Sequence, residues 1–292
     1  MFEININELL IPTSEWTKRL NNRRPNFIGD IAAEQVIGSK GRNRIEGRAG
    51  RDSLFGRKGN DLLLGGWDDD YLDGGVGNDV LRGGDSNDIL IGNVGHDRLF
   101  GEAGDDTLAG GLGRDHLIGD AGNDRLDGGA HNDILEGGSG VDLMQGGFGN
   151  DKLLGQFEED TMFGGHGNDV LSGGHGNDVL SGGIGNDRLS GGQGIDRIFG
   201  DGGIDFARGG KDFDMFALQV GQGHLVIQDF VQGEDRLGVI TSQNEFSQVR
   251  FAARGRGQAA VLIGNDLVAV VKGVRANALS NSDLTAIAEI SV

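Results

Sequence analysis

The chain has 292 residues, with 57 glycines against 2 prolines, 6% aromatic residues, no cysteine and a formal net charge of -19. The absence of cysteine excludes disulfide scaffolds and thiolate zinc sites, and the acidic balance excludes a nucleic-acid ligand, because phosphate must be neutralised by Lys and Arg. Residues 38–217 hold 33 acidic and 16 basic residues, a balance of -17, while each flank carries -1, so the charge belongs to the middle of the chain and points to divalent cations as partners.

At the start, Met1-Phe2-Glu3-Ile4-Asn5 has neither a basic n-region nor a long apolar core, so no cleaved signal peptide is expected. No apolar run approaches the ~20 residues of a transmembrane helix, and a soluble protein is expected. The stretch from Ser14 to Leu20 predicts a short helix with Ser14 at its N-cap, ended by Pro25; an irregular tail is the competing reading. Gly29, Glu34 and Val36 then fall at the spacing of the array that follows, which makes 29–37 a degenerate capping repeat.

From Gly38 to Ala217 one nine-residue phrase recurs 20 times without a gap, most plainly in Gly164–Ser190, where it is said three times in succession. Position one is Gly in all 20 nonapeptides, position six is Asp in 19 with Asn43 the exception, and position eight is always apolar. Positions one to six predict a turn, since Gly tolerates positive φ and Asp stabilises turns. Positions seven to nine predict a very short strand. Two nonapeptides make one coil of 18 residues, giving an all-β, two-sheet solenoid with the position-eight side chains as its apolar spine. Ten coils at about 4.8 Å each extend about 48 Å.

The phrase Gly-Gly-x-Gly-x-Asp-x-apolar-x is similar to the RTX (repeats-in-toxin, haemolysin-type calcium-binding) repeat, whose fold is the parallel β-roll. The resemblance implies calcium ions held between turns stacked on one side, ligated by position-six carboxylates and glycine carbonyls. Carried onto this chain, one side presents Asp61, Asp79, Asp97, Asp115, Asp133, Asp151, Asp169, Asp187 and Asp205. The other presents Asp52, Asp70, Asp88, Asp106, Asp124, Asp142, Asp160, Asp178, Asp196 and Asp214. In the three uninterrupted repeats the backbone of Gly165, Gly167, Gly174, Gly176, Gly183 and Gly185 supplies further oxygens. The resemblance also implies folding coupled to calcium binding, and export by type I machinery to the extracellular space.

Position four departs from Gly at Asp68, Ser86, His131, Glu158 and Asp212. All but His131 fall in even nonapeptides, so the ladder of odd nonapeptides is expected to fill with calcium more completely than the even one. After Ala217 the period stops. Leu225-Val226-Ile227, Leu237–Ile240, Val249-Arg250-Phe251, Ala260–Ile263 and Leu267–Val271 read as strands, with Gly264-Asn265 as a hairpin signal between the last two. Asn281-Ser282-Asp283 reads as the cap of a short final helix. The segment Asp229-Phe230-x-x-Gly233-x-Asp235-x-Leu237 is similar to the sheet that closes RTX arrays, which makes 218–292 a cap and a candidate secretion address.

Other motifs carry less. His166 and His175 occupy position three and read as surface residues. No His-Glu-x-x-His and no Gly-x-Ser-x-Gly occurs, which removes a zinc protease and a serine lipase. Gly255-Arg256-Gly257 fits a dinucleotide fingerprint only superficially and reads as a hairpin loop, since β-like residues follow it. Asp68-Asp69-Asp70 reads as a repeat turn, because Leu72 stands where an EF-hand needs an oxygen. An ice-binding face is not built at position seven, where Thr occurs only at 107 and 161. Phe100 and Ile118, neighbours at outward position nine, suggest an adhesive or partner-binding rod as the alternative reading. No enzyme is expected, since neither flank has the length of a usual catalytic domain.

Overall fold

The computed structural model describes residues 17–21, 26–221, 223–240, 249–254, 257–263 and 266–287. It forms two compact bodies, Met1–Lys152 and Leu153–Val292. Each is a parallel β-solenoid, and among the described residues there is no α-helix.

In the first body the pairing register is 18 residues throughout, as with Arg98 opposite His116 and Thr107 opposite Arg125. Successive nonapeptides therefore build two separate parallel ladders. Position eight fills the interior, where Ile45, Leu54, Leu63, Leu72 and the leucines up to Leu135 are fully buried. The strands are longer than the sequence suggests. Thr107–Leu112 runs from position seven of one repeat through position three of the next, so the turn is only positions four to six. Position one is extended backbone and not part of a turn, for a reason given below.

The coil also starts earlier than the sequence period does. Thr17–Arg19 pairs with Gln35–Ile37, and Asn26–Ile28 with Arg44–Ala49, both 18 residues apart. A strand thus stands where a helix from Ser14 was expected; Ser14–Trp16 and Pro25 lie outside the described residues. Lys18 takes the place of the inward position-eight residue, and its ammonium pairs with the buried carboxylate of Glu34. Only the Glu34 end of that pair is buried; the Lys18 side chain is 42% exposed where the later coils carry a buried leucine.

In the second body the sheets outlast the period. Met215–Gln219 pairs with Arg236–Ile240 at an offset of 21, as Met215 opposite Arg236. Gly202–Lys211 pairs with Gly223–Ile227 at an offset of 20, as Gly203 opposite Gly223. The inserted residues loop out while the coil continues. The five expected C-terminal strands are present, and Val249–Ala253, Gln258–Ile263 and Asp266–Lys272 form an antiparallel meander whose last strand returns parallel to Gly223–Ile227. Gly255-Arg256 and Gly264-Asn265 lie outside the described residues, bracketed by these antiparallel pairs. The expected final helix is replaced by a single 3-10 turn, Asn281–Asp283, followed by strand Leu284–Ile287 parallel to Arg236–Ile240. Asp283 receives the Ser280 amide at 2.9 Å, so its turn closes locally and the chain goes straight into the sheet.

Candidate metal centre

Every position-six aspartate from Asp52 to Asp214 is at most 3% exposed. Its carboxylate points inward and not towards solvent. Oδ1 accepts the amide of position six in the preceding coil: Asp61 N donates to Asp79 Oδ1 at 2.7 Å, Asp106 N to Asp124 Oδ1 at 2.8 Å and Asp178 N to Asp196 Oδ1 at 2.9 Å. Oδ2 has a different fate. In Asp52, Asp61, Asp70, Asp79, Asp88, Asp97, Asp106, Asp115, Asp124 and Asp133 of the first body it is buried without a hydrogen-bond partner. The same holds for Asp178, Asp187, Asp196 and Asp205 of the second.

The invariant glycine follows from that carboxylate. A Cβ on Gly110 would lie 2.6 Å from Asp115 Oδ2 and 2.8 Å from the carbonyl oxygen of Gly128, one coil on. Gly128 meets Asp133 Oδ2 and the Gly146 carbonyl in the same way, at 2.7 and 2.8 Å. Position one is Gly because the carboxylate of its own repeat folds back over it, beside a backbone oxygen of the next layer.

Burial is the main force on these groups, and it raises their pKa by penalising the charge. Asp88 and Asp133 are pushed up to about 9, Asp70 and Asp196 to about 8, and Asp79 and Asp124 to about 6. The donated amide opposes the shift in each; in the four highest, carboxylates one coil away add to it. A buried carboxylate with an idle oxygen needs either a proton or a cation.

The donor set fits calcium, a hard ion that takes 6–8 oxygens and accepts carbonyls beside carboxylates. Among the described residues no three His, Cys, Asp or Glu side chains converge on one point, so backbone oxygens have to complete any coordination shell here. The carbonyls of Gly165, Gly167, Gly174, Gly176 and Gly185 each face the residue 18 positions later, where a Cβ would collide with them. Gly183 lies with the others in the left-handed region, at φ 94. The structure therefore brings the position-six carboxylates together with the position-one carbonyls, and stacks the carbonyls at positions two and four coil on coil.

Position four behaves as the sequence suggests. Asp68, Ser86, His131, Glu158 and Asp212 are all held at positive φ, from 65 to 84. The glycines at this position open wider, to 148 at Gly77 and 158 at Gly95. A side chain draws the turn into the narrow left-handed well that L-residues tolerate.

Position five was missed. Its side chain accepts the amide of position five in the following coil: Asn60 from Asn78 at 3.0 Å, Asn78 from His96, Asn87 from Asp105 and Asn168 from Asn186 at 2.8 Å. Asn at this position in repeat after repeat was the available signal. It runs opposite in sense to the position-six ladder.

The suggested Phe100–Ile118 patch is not an apolar surface. Arg82 and Arg98 sit over the Phe100 ring at 4.3 and 5.4 Å, and Ile118 stands opposite Glu136. His175 stacks on Phe157 at 5.4 Å between centroids and meets Gln193, as a surface residue does. Asp235 extends the carboxylate series past the period. Its Oδ1 accepts Asp214 N at 3.1 Å, and its Oδ2 accepts Val231 N at 2.7 Å.

A family model described as the RTX calcium-binding nonapeptide repeat (4 copies) matches nine overlapping stretches, 28–63, 46–81, 64–99, 82–117, 110–144, 136–171, 145–180, 154–189 and 181–216. No curated protein matches the chain in sequence. Among solved structures, a hyperactive, Ca2+-dependent, β-helical antifreeze protein from an Antarctic bacterium is similar over 82% of this chain and 89% of its own, at 18% identity and a TM-score of 0.38.

Proposed function

The chain belongs to the RTX calcium-binding nonapeptide-repeat family, and from that premise we propose that it is an exported binding module whose coils fold as calcium loads between them. The observation that carries the reading is the idle, buried Oδ2 of aspartates such as Asp61, Asp97 and Asp115, where a backbone carbonyl of the next coil stands close by. An ion there would take Oδ2 and the position-one carbonyl as ligands, while Oδ1 stays tied to its amide. Calcium supplies the positive charge that these carboxylates lack a partner for, and it links one coil to the next.

Extracellular calcium modules bind at roughly 10⁻⁴–10⁻³ M, so the chain would stay unfolded in cytosol and fold outside the cell. No helix among the described residues is long and apolar enough to cross a membrane. Circular dichroism with and without about 5 mM calcium, a level above that affinity range, tests the reading. We expect β-structure to appear on calcium addition and vanish on chelation at neutral pH. The same spectrum in both conditions would rule it out.

A further inference from the structure

One face of the second body carries the sign opposite to the rest of the chain. Strands Val170–His175, Arg188–Gln193 and Gly202–Lys211 put Ser172, Ser190 and Arg208 in one outward row. Gln228 and Lys272 continue it, one residue beyond the paired Ile227 and Val271. A second row, two residues away, holds Val170, Arg188 and Phe206. Between them lies a groove of about 490 Å³.

Its cations are not paired, although Asp229 lies just past the end of the first row, where it accepts the Gly209 amide. Arg188 and Arg208 are exposed, and Lys272 Nζ stands 5.7 Å from the Phe206 ring centroid. Arg208 Nε donates to Gln228 Oε1 at 2.9 Å, which fixes the guanidinium and leaves its remaining N–H groups outward. Among the described residues none of these three cations makes an ion pair, and neither row contains Asp or Glu. On a chain of net charge -19, such a face is a place where an anion is preferred over water.

We propose that this groove binds a linear acidic oligosaccharide, with carboxylates held by Arg188, Arg208 and Lys272 and hydroxyls by Ser172, Ser190 and Gln228. The planar guanidinium fork matches a carboxylate in two parallel hydrogen bonds. The serine hydroxyls and the glutamine amide both donate and accept, as a ligand rich in hydroxyls requires. The rows run across the strands with about 4.8 Å between members, which suits an extended chain and not a compact anion. A single-stranded nucleic acid needs open aromatic platforms for its bases, and the one ring here, Phe206, is half-buried with Lys272 over it. The inference rests on the proposed calcium loading only for the folded state that displays the groove.

Isothermal titration of the full chain in about 5 mM calcium, above the affinity range of such modules, with tetragalacturonate as probe tests it, with circular dichroism on the same samples. The double variant Arg188→Gln/Arg208→Gln should bind at least about tenfold more weakly at an unchanged calcium midpoint, which is about 1.4 kcal/mol. The control Arg98→Gln/Arg114→Gln should bind like the parent, and affinity should fall with salt. Folded parent protein that does not bind, a double variant that binds normally, or equal binding of neutral maltotetraose or of a short single-stranded DNA would each overturn the proposal. Those outcomes leave the calcium reading standing. A chain folded without calcium would sink the calcium reading instead, and the variants would still judge the groove.

Discussion

At the scale of single residues, the position-six carboxylate sets the identity of its neighbours. It requires Gly at position one, where a Cβ on Gly110 would press on Asp115 and on the Gly128 carbonyl. Gly110→Ala should therefore cost about 1–3 kcal/mol, as overpacking does, and raise the calcium midpoint in a titration followed by circular dichroism. An unchanged midpoint would show that the carboxylate can move aside freely. The same carboxyls predict a pH dependence for the metal-free chain. Their ordinary pKa is 3.8, and burial raises Asp70, Asp88, Asp133 and Asp196 to about 8 or 9 in the fold. The stability they contribute is fully present below pH about 4 and is lost as pH rises through the folded values. Metal-stripped protein should gain β-structure near pH 4 and lose it progressively above that, with little left at neutral pH, where the carboxyls raised only to about 6 are already charged. A flat spectrum across that range would mean that these carboxyls do not govern the metal-free fold.

At the scale of the repeat, the interior was legible and the turn was not. Gly at one, Asp at six and an apolar residue at eight gave the 18-residue coil and its spine, because each obeys a strict spacing. The strand boundaries were misread because Gly suggests a turn, whereas at Gly110 and its equivalents it marks close approach. The ends were hidden for another reason. Glu34 was read as position six of a capping repeat, but the coil before it was not, because Lys18 stands where the array has an apolar residue, and Asp235 reaches its place in the ladder only after a three-residue insertion. Position four yields the sharper prediction. Glu158 is held at φ 65 and Ser86 at 84, conformations that cost non-glycine residues roughly 1–2 kcal/mol. Glu158→Gly should stabilise the calcium-loaded protein by up to that amount in a denaturant titration. In a calcium-bound crystal structure the even ladder should be altered near Asp68, Ser86 and Glu158. The odd ladder should show weak points only at Asn43 and near His131. Equal occupancy and geometry on both sides would refute this account of position four.

At the scale of the whole molecule, the last strands complete the second body. Gly223–Ile227 and Arg236–Ile240 cover the final repeats, and the meander from Val249 to Lys272 pairs onto them. Deleting residues 218–292 would expose Phe216 and an open strand edge, both of which invite association. The truncated chain should need more calcium to fold, or elute as aggregates in size-exclusion chromatography. A monodisperse truncation with the parent's midpoint would assign the cap to export alone.

The carboxylate ladder has a direction, and in the second body its even series ends on a carboxylate beyond the period, Asp235. In that series each position-six amide is satisfied by the coil that follows it, as Asp178 is by Asp196, Asp196 by Asp214 and Asp214 by Asp235. A coil without its successor buries a donor with nothing to receive it. Asp235 ends the sequence of dependence because its second oxygen is held by Val231 of its own turn. The growing end of a nascent chain thus carries a coil whose amide waits on residues not yet made. The last coil of this series closes only once Asp235 has been made, so the polarity of the hydrogen bonds orders closure from one coil to the next.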